Sequence, residues 1–126
     1  MVIHAPGVSG AAERSQALVE LVDIYPTLAE LCGIKTPTDL QGRSLVSNLG
    51  DVDAAGKPAA YSVVTRGDRL GKGIRTQDWR YALWPDGEEL YHLKVDPLEH
   101  VNLANYPDHQ KVLAEMRERL PQFARD

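Results

Sequence analysis

The sequence has one cysteine, Cys32, in 126 residues, so no internal disulfide framework can form. It has no apolar run approaching the ~20 residues that a membrane span requires. It has no dense basic run, and its formal net charge is −4, which argues against a general nucleic-acid binder. Its opening, MVIHAPGVSG, lacks both the basic n-region and the long apolar h-region of a signal peptide. No internal repeat is present. What remains is an ordinary folded composition, 43% hydrophobic and 25% charged. A chain of this length buries roughly two-thirds of the surface that its unfolded form exposes, enough for one core.

The segment VIHAPG reads as a short β run ended by the breaker pair Pro6-Gly7. A strand beginning almost at the first residue suggests a segment of something larger. In ALVELVDIYPTLAELCGIK, Pro26 prevents one long helix. The spacing predicts an extended ALVELV and a helix over 23–32. Asp23 would be its N-cap, Pro26 would sit in its first turn, and Ile24, Leu28 and Leu31 would form an apolar stripe. Gly33 supplies the left-handed residue past its end, with Ile34 folding back on the last turn. Cys32 falls among the helix's apolar positions and is expected as a buried, inert thiol. A Gly/Pro/Asp-rich connection follows, with one amphipathic turn, SLVSNL.

From Ala59 the periodicity changes to strands. AAYSVVTRG, a loop DRLGKG, a strand IRTQDWRYALW, the turn PDGE and a strand ELYHLKV predict a three- to four-stranded antiparallel sheet over 59–95. Pro85-Asp86-Gly87 marks the hairpin turn. Asp96-Pro97 ends the last strand. The final helix spans 108–120, with Asp108 as cap, Val112, Leu113, Met116 and Leu120 facing inward, and Pro121 where it stops. The fold class is therefore α+β: a small antiparallel sheet with a packed C-terminal helix, preceded by a strand–helix segment that cannot close a core alone.

Four stretches, in order, carry a resemblance. LVDIYPTLAELCGI is similar to an aspartate-x-x-proline-threonine-leucine helix, and LQGRSL to a glycine-arginine-serine-leucine turn. GIRTQDWRYALW resembles an arginine-threonine-x-x-x-arginine/lysine-tyrosine strand. ELYHLKVDPLEHVNLA resembles a hairpin end that finishes aspartate-proline-x-glutamate-x-x-asparagine-leucine. Together they resemble the C-terminal part of the sulfatases, in the alkaline-phosphatase-like superfamily, with spacing nearest the iduronate-2-sulfatase and choline-sulfatase-like branch. The resemblance implies that residues 1–50 are a remnant of a larger α/β catalytic domain plus linker, and that 51–126 are the antiparallel-sheet subdomain. Asn102 would then hydrogen-bond local backbone in the Asp96-Pro97 turn.

The resemblance also implies parts that this chain lacks. Sulfatases carry a Cys/Ser-x-Pro/Ala-x-Arg motif whose first residue becomes formylglycine, and they bind calcium through carboxylate pairs. Cys32 is followed by Gly33-Ile34-Lys35-Thr36, so it is not that residue. No catalytic residue and no metal ligand is assigned in this chain; formylglycine and calcium are expected in the parent enzyme. His4, His92, His100 and His109 show no zinc spacing. A Ser62, His92, Asp78 triad can be written down but lacks a nucleophile elbow. One cluster is a substrate-binding candidate: Arg66, Arg69, Lys72 and Arg75, in or beside the glycine-rich loop, whose forks suit sulfate oxygens at a cleft wall. Arg75, inside a strand, is expected to make an internal salt bridge. The expected function is the C-terminal segment of a sulfatase acting on a sulfated sugar or small sulfate ester, inactive alone. Its partners are the upstream catalytic domain, an anionic substrate and, through the orphaned N-terminal half, further copies of the chain; nucleic acid and membranes are not expected. An exported or periplasmic parent is compatible with this. Two alternatives stay open: a binding module for anionic sugars or a protein partner, and the same segment of a phosphonate or phosphodiester hydrolase.

Overall fold

A computed structural model describes residues 1–8 and 13–120. The chain divides into two compact units, Met1–Pro58 and Ala59–Asp126.

In the first unit, residues 2–5 form no strand, because no described segment offers them a ladder partner. Pro6-Gly7 does turn the chain, the Val8 N–H donating to the Ala5 carbonyl at 3.2 Å. Of ALVELV only the first part is irregular chain; Leu21–Asp23 is a 3-10 turn leading into α1, Ile24–Leu31. Asp23 does not cap α1. Its backbone is already helical, at φ −77 and ψ −16, whereas a capping side chain needs an extended backbone. Its carboxylate instead turns back and accepts from the backbone N–H groups of Glu20 and Arg43, each at 2.8 Å, with Lys57 Nζ at 2.6 Å. Thr27 continues this knot, its Oγ1 donating to the Asp23 carbonyl and accepting from the Leu45 N–H at 2.9 Å. The LQGRSL turn thereby lies close against the 3-10 turn. A β-carbon on Gly42 would stand 2.0 Å from the Val22 carbonyl oxygen, so only glycine fits there. Helix α2, Val46–Gly50, is the amphipathic turn expected from SLVSNL.

Helix α1 ends as the sequence predicts. Gly33 takes φ +66, and the Ile34 and Gly33 N–H groups donate to the Ala29 and Glu30 carbonyls at 2.8 and 3.0 Å, a Schellman ending. The Ile34 side chain, however, stays exposed. The inward side of α1 consists of Pro26, Thr27 and Ala29, while Tyr25 and Leu28 are each 55% exposed. Cys32 is exposed rather than buried, because it is the residue just past the last turn, where the inward face has already ended.

The second unit is a four-stranded antiparallel meander with its strands in sequence order: β1 Ala60–Arg66, β2 Arg69–Arg75, β3 Trp79–Trp84 and β4 Gly87–His92. Two expectations are corrected. DRLGKG is not a loop but most of β2, pairing Arg69 with Arg66 and Lys72 with Val63. Nor is IRTQDWRYALW one strand. Thr76 closes a turn, its N–H donating to the Trp79 carbonyl at 2.8 Å and its Oγ1 accepting from the Trp79 N–H at 3.0 Å, so β2 ends at Arg75 and β3 starts at Trp79. The next hairpin turns at Pro85-Asp86, between the paired Trp84 and Gly87. Strand β4 stops at His92, short of Val95, where the Val95 N–H returns to the His92 carbonyl at 3.1 Å.

One face of the sheet carries Ile74, Tyr81 and Leu90, buried with Leu113, Met116 and Leu120. The C-terminal helix, α3, is Gln110–Arg119 behind a 3-10 turn Pro107–His109. Asp108 lies inside that turn and makes no capping bond; Pro121 lies outside the described residues. Asn102 does more than fasten its own turn. Its Oδ1 accepts from the N–H groups of Leu90 and Ala104, each at 3.0 Å, and its Nδ2 donates to the Glu88 carbonyl at 3.1 Å. With the Leu103 N–H donating to the Leu90 carbonyl at 2.8 Å, this stretch serves the open edge of β4 as a partial fifth strand.

Burial pushes the Asp23 carboxyl up, but the bonds from Lys57, Arg43 and Glu20 outweigh it and leave the group below its ordinary value. A depressed carboxyl contributes stability that is present above the unfolded value and lost as pH falls through the folded one. The first unit should therefore loosen as pH drops below about 4. Asp23→Asn should cost it about 1–3 kcal/mol, since Lys57 keeps only Glu20 and one of the two backbone N–H groups loses its acceptor, and should flatten that acid dependence. Hydrogen exchange at the Ile34 and Leu45 amides, followed from pH 7 to 3, reads both effects.

Candidate functional site

Side chains alternate across a strand, so the pairing register assigns every candidate to a face. Arg66 is opposite Arg69, and Arg75 is opposite Arg80, all on the face away from Ile74 and Tyr81. Lys72 alternates onto the Ile74 face. The structure thus groups three of the four candidates, sends Lys72 to the other side, and adds Arg80. Alternation alone would have revealed Arg80 once the turn at Thr76 was placed.

On the arginine face, Trp84 lies against β2, where a β-carbon on Gly71 would come within 2.6 Å of its ring. The Arg66 guanidinium sits 5.1 Å from the Trp84 ring centre, a cation–π contact. Arg69 pairs with Asp86 and holds that carboxyl below its ordinary value. Arg80 pairs with Glu99, whose backbone is left-handed at φ 58, and lies 5.9 Å from the Tyr91 ring centre. Arg75 is exposed and makes no ion pair among the described residues, so the internal salt bridge expected for it is absent. Its directly opposed neighbour is another arginine, and the nearby carboxylate, Glu99, goes to Arg80.

On the core face, the Tyr81 hydroxyl donates to Glu88 at 2.9 Å, and Arg117 grips the same carboxylate through Nε at 2.8 Å and through a second nitrogen. Burial, with the Glu88 charge added, pushes Tyr81 up to about 12. No triad forms from Ser62, His92 and Asp78. Ser62 pairs with Gly73 on the arginine face, whereas His92 pairs with Trp79 on the core face, and Asp78 is bridged to Lys94 at 2.8 Å. His92 and His109 flank the Trp79 ring at 4.3 and 5.8 Å, His100 lies 3.7 Å from Asp96, and His4 is exposed. Among the described residues no three His, Cys, Asp or Glu side chains gather as a metal would need. The carboxylates of Asp23, Asp86, Glu88 and Glu99 each already face a lysine or arginine, so this donor set does not fit calcium.

Comparison with known proteins bears on this geometry. A family model described as N-sulphoglucosamine sulphohydrolase, C-terminal, matches residues 1–126. A Delta 4,5-hexuronate-2-O-sulfatase of Bacteroides thetaiotaomicron is 37% identical over 110 residues, covering 81% of this chain and 23% of its own. An N-acetylglucosamine-6-O-sulfatase of the same organism is 32% identical, covering 94% and 24%. A solved structure in complex with its substrate, D-glucosamine-2-N,6-O-disulfate, superimposes with a TM-score of 0.69 at 28% identity, covering 77% of this chain and 22% of that one. The chain thus spans about a quarter of the length of the curated relatives it matches.

Trp84 occupies the space in which Gly71 would carry a side chain, so Gly71→Ala must lift the indole off β2. The substitution should cost about 1–3 kcal/mol. It should also shift the Trp84 indole N–H resonance while leaving that of Trp79, on the opposite face, in place.

Proposed function

The chain belongs to the family of N-sulphoglucosamine sulphohydrolase C-terminal regions, and on that premise we propose that it is the C-terminal segment of a sulfatase that hydrolyses sulfate esters on a sugar or another small molecule. The match along the whole chain carries this reading, together with relatives named for the removal of sulfate from sugars. The nucleophile and the calcium would be supplied by the upstream part of the parent. Residues 1–50 would belong to the edge of that catalytic domain and 51–126 to the subdomain that follows it. Arg66, Arg69 and Arg75 share one sheet face, which supports a role for that face as a cleft wall meeting anionic substrate. Hydrolysis requires a nucleophile and offset of charge on the sulfate oxygens, and on this reading the described arginine face would contribute cationic donors to the second of these.

Reading the frame upstream of Met1 tests the proposal. A Cys/Ser-x-Pro/Ala-x-Arg motif some hundreds of residues earlier is the expected outcome, and a stop codon directly before Met1 would overturn it. The 126-residue chain by itself should hydrolyse neither aryl sulfates nor aryl phosphates, with or without calcium. Its melting temperature should not respond to calcium, since a ligand bound only by the native state must raise it.

Exposed apolar side chains on α1 and the turns beside it support the remaining part of the proposal, self-association of the isolated chain. Leu21, Val22, Tyr25, Leu28 and Ile34 are all exposed, Leu21 by 79%. Burying a leucine is worth roughly 1.5–3 kcal/mol, so several exposed apolar side chains in one short segment favour a partner. Leu28→Asp should convert an associating species to monomer in light scattering and leave the sheet's amide spectrum unchanged. A wild-type chain that is strictly monomeric at millimolar concentration would refute self-association.

A further inference from the structure

We propose that Arg75 and Arg80, rather than the arginines at the β1–β2 turn, form an oxyanion subsite for a sulfate or carboxylate group of an acidic sugar; the sugar part rests on the reading above. The register places Arg75 directly opposite Arg80. Like charges facing each other across an antiparallel pair stand within ~5 Å at their β-carbons and repel. Two such pairs occur on this face, and each has one carboxylate. At the turn, Asp86 pairs with Arg69 and the Trp84 ring takes up Arg66. At the other pair, Glu99 takes Arg80, while Arg75 has no ion pair among the described residues and is exposed. Among the described residues of this face, Arg75 is therefore the arginine with neither a carboxylate nor a ring partner.

Arg80 is held ready beside it. Glu99 grips it from a left-handed backbone position, and the Tyr91 ring lies 5.9 Å away. A guanidinium presents five donors in a fixed fork, so one carboxylate leaves Arg80 with donors for a second oxyanion. An oxyanion between the two side chains accepts from both and removes their repulsion. Ser62 lies one row away on the same face, its Oγ only 2.8 Å from where a β-carbon of Gly73 would stand, and adds a neutral partner for a sugar hydroxyl. The chain as a whole carries a formal −4, so general attraction opposes anions and any affinity has to come from these local forks.

The test is a titration of the 15N-labelled 126-residue chain with D-glucosamine-2-N,6-O-disulfate, with inorganic sulfate and with N-acetylglucosamine. It is run in 0.15 M sodium chloride and read at the arginine Nε–H and backbone amides. The disulfate should move the Arg75 and Arg80 Nε–H signals saturably, and N-acetylglucosamine should not. Arg75→Gln, an exposed position at which an unchanged amide spectrum reports an intact fold, should weaken binding roughly tenfold. Lys72→Gln, on the opposite face, should stay within about twofold of wild type, and Arg66→Gln should weaken binding less than Arg75→Gln does. No saturable shift, wild-type affinity in Arg75→Gln, or equal losses in all three variants would overturn the subsite. Inorganic sulfate binding as tightly as the disulfate would overturn its assignment to a sugar. Failure here leaves the upstream motif untouched, and absence of that motif leaves this titration untouched, so the two readings fail separately.

Discussion

A carboxylate with no solvent contact organises the first unit. Asp23 is 0% exposed, and an unpaired charge there would cost several kcal/mol. Three donors meet it, from three places in the chain: the Glu20 N–H at the start of the 3-10 turn, the Arg43 N–H in the LQGRSL turn, and Lys57 at the end of the unit. Each donor fixes a segment that has little regular structure of its own. Between Leu31 and Pro58 there is only the five-residue α2, so the connection's path is set less by ladders than by this carboxylate and by Thr27. The same knot explains why α1 turns a polar, small-residue side inward and leaves leucines outside. The inward side is occupied with satisfying Asp23 and Thr27, and its neighbours Pro26 and Ala29 are small enough to allow the close approach.

The second unit solves a different problem, the open edge of a meander. β4 would present unpaired N–H and C=O groups, and the chain beyond the Asp96-Pro97 turn returns to meet them. Asp96 accepts the Val101 N–H at 2.9 Å, Glu99 adopts its left-handed angle, and Asn102 arrives beside Leu90. The amide side chain suits this position because it both accepts and donates, as a strand's backbone does. Glu99, made to point back by that turn, reaches Arg80 on β3, so one loop fastens two strands.

Much of this was legible, and the failures share a cause. The sheet, its Pro85-Asp86 turn, the Schellman ending at Gly33 and the inward residues of α3 follow from local patterns that need no distant partner. Glycine misled where its reason was a neighbouring side chain. Gly71 and Gly73 read as a loop, yet they are strand positions over which Trp84 and Ser62 lie. Aspartate misled likewise. Asp23 and Asp108 look like caps from the residues beside them, but Asp23 is claimed by Lys57, 34 positions later, and Asp108 is carried inside a 3-10 turn begun by Pro107. The basic cluster was visible as composition, but sending Lys72 to the other face depends on 69–75 being a strand, and adding Arg80 depends on the turn at Thr76.

The displaced pKa values among the described residues share a direction. A general acid or base works best with a pKa near the working pH. Here Asp23, Asp86, Glu88 and Asp96 are all lowered, while Lys57, Tyr81, Tyr91 and Arg117 are raised. Every one of these groups has moved away from neutrality. In the ion pairs among them each partner stabilises the other's charged form, which fastens structure and removes both as proton carriers. Arg75 lies outside these pairs. Its charge is permanent, its fork is open, and its opposed neighbour is already a cation, so what it can offer a substrate is charge-assisted hydrogen bonding, which requires no proton to move.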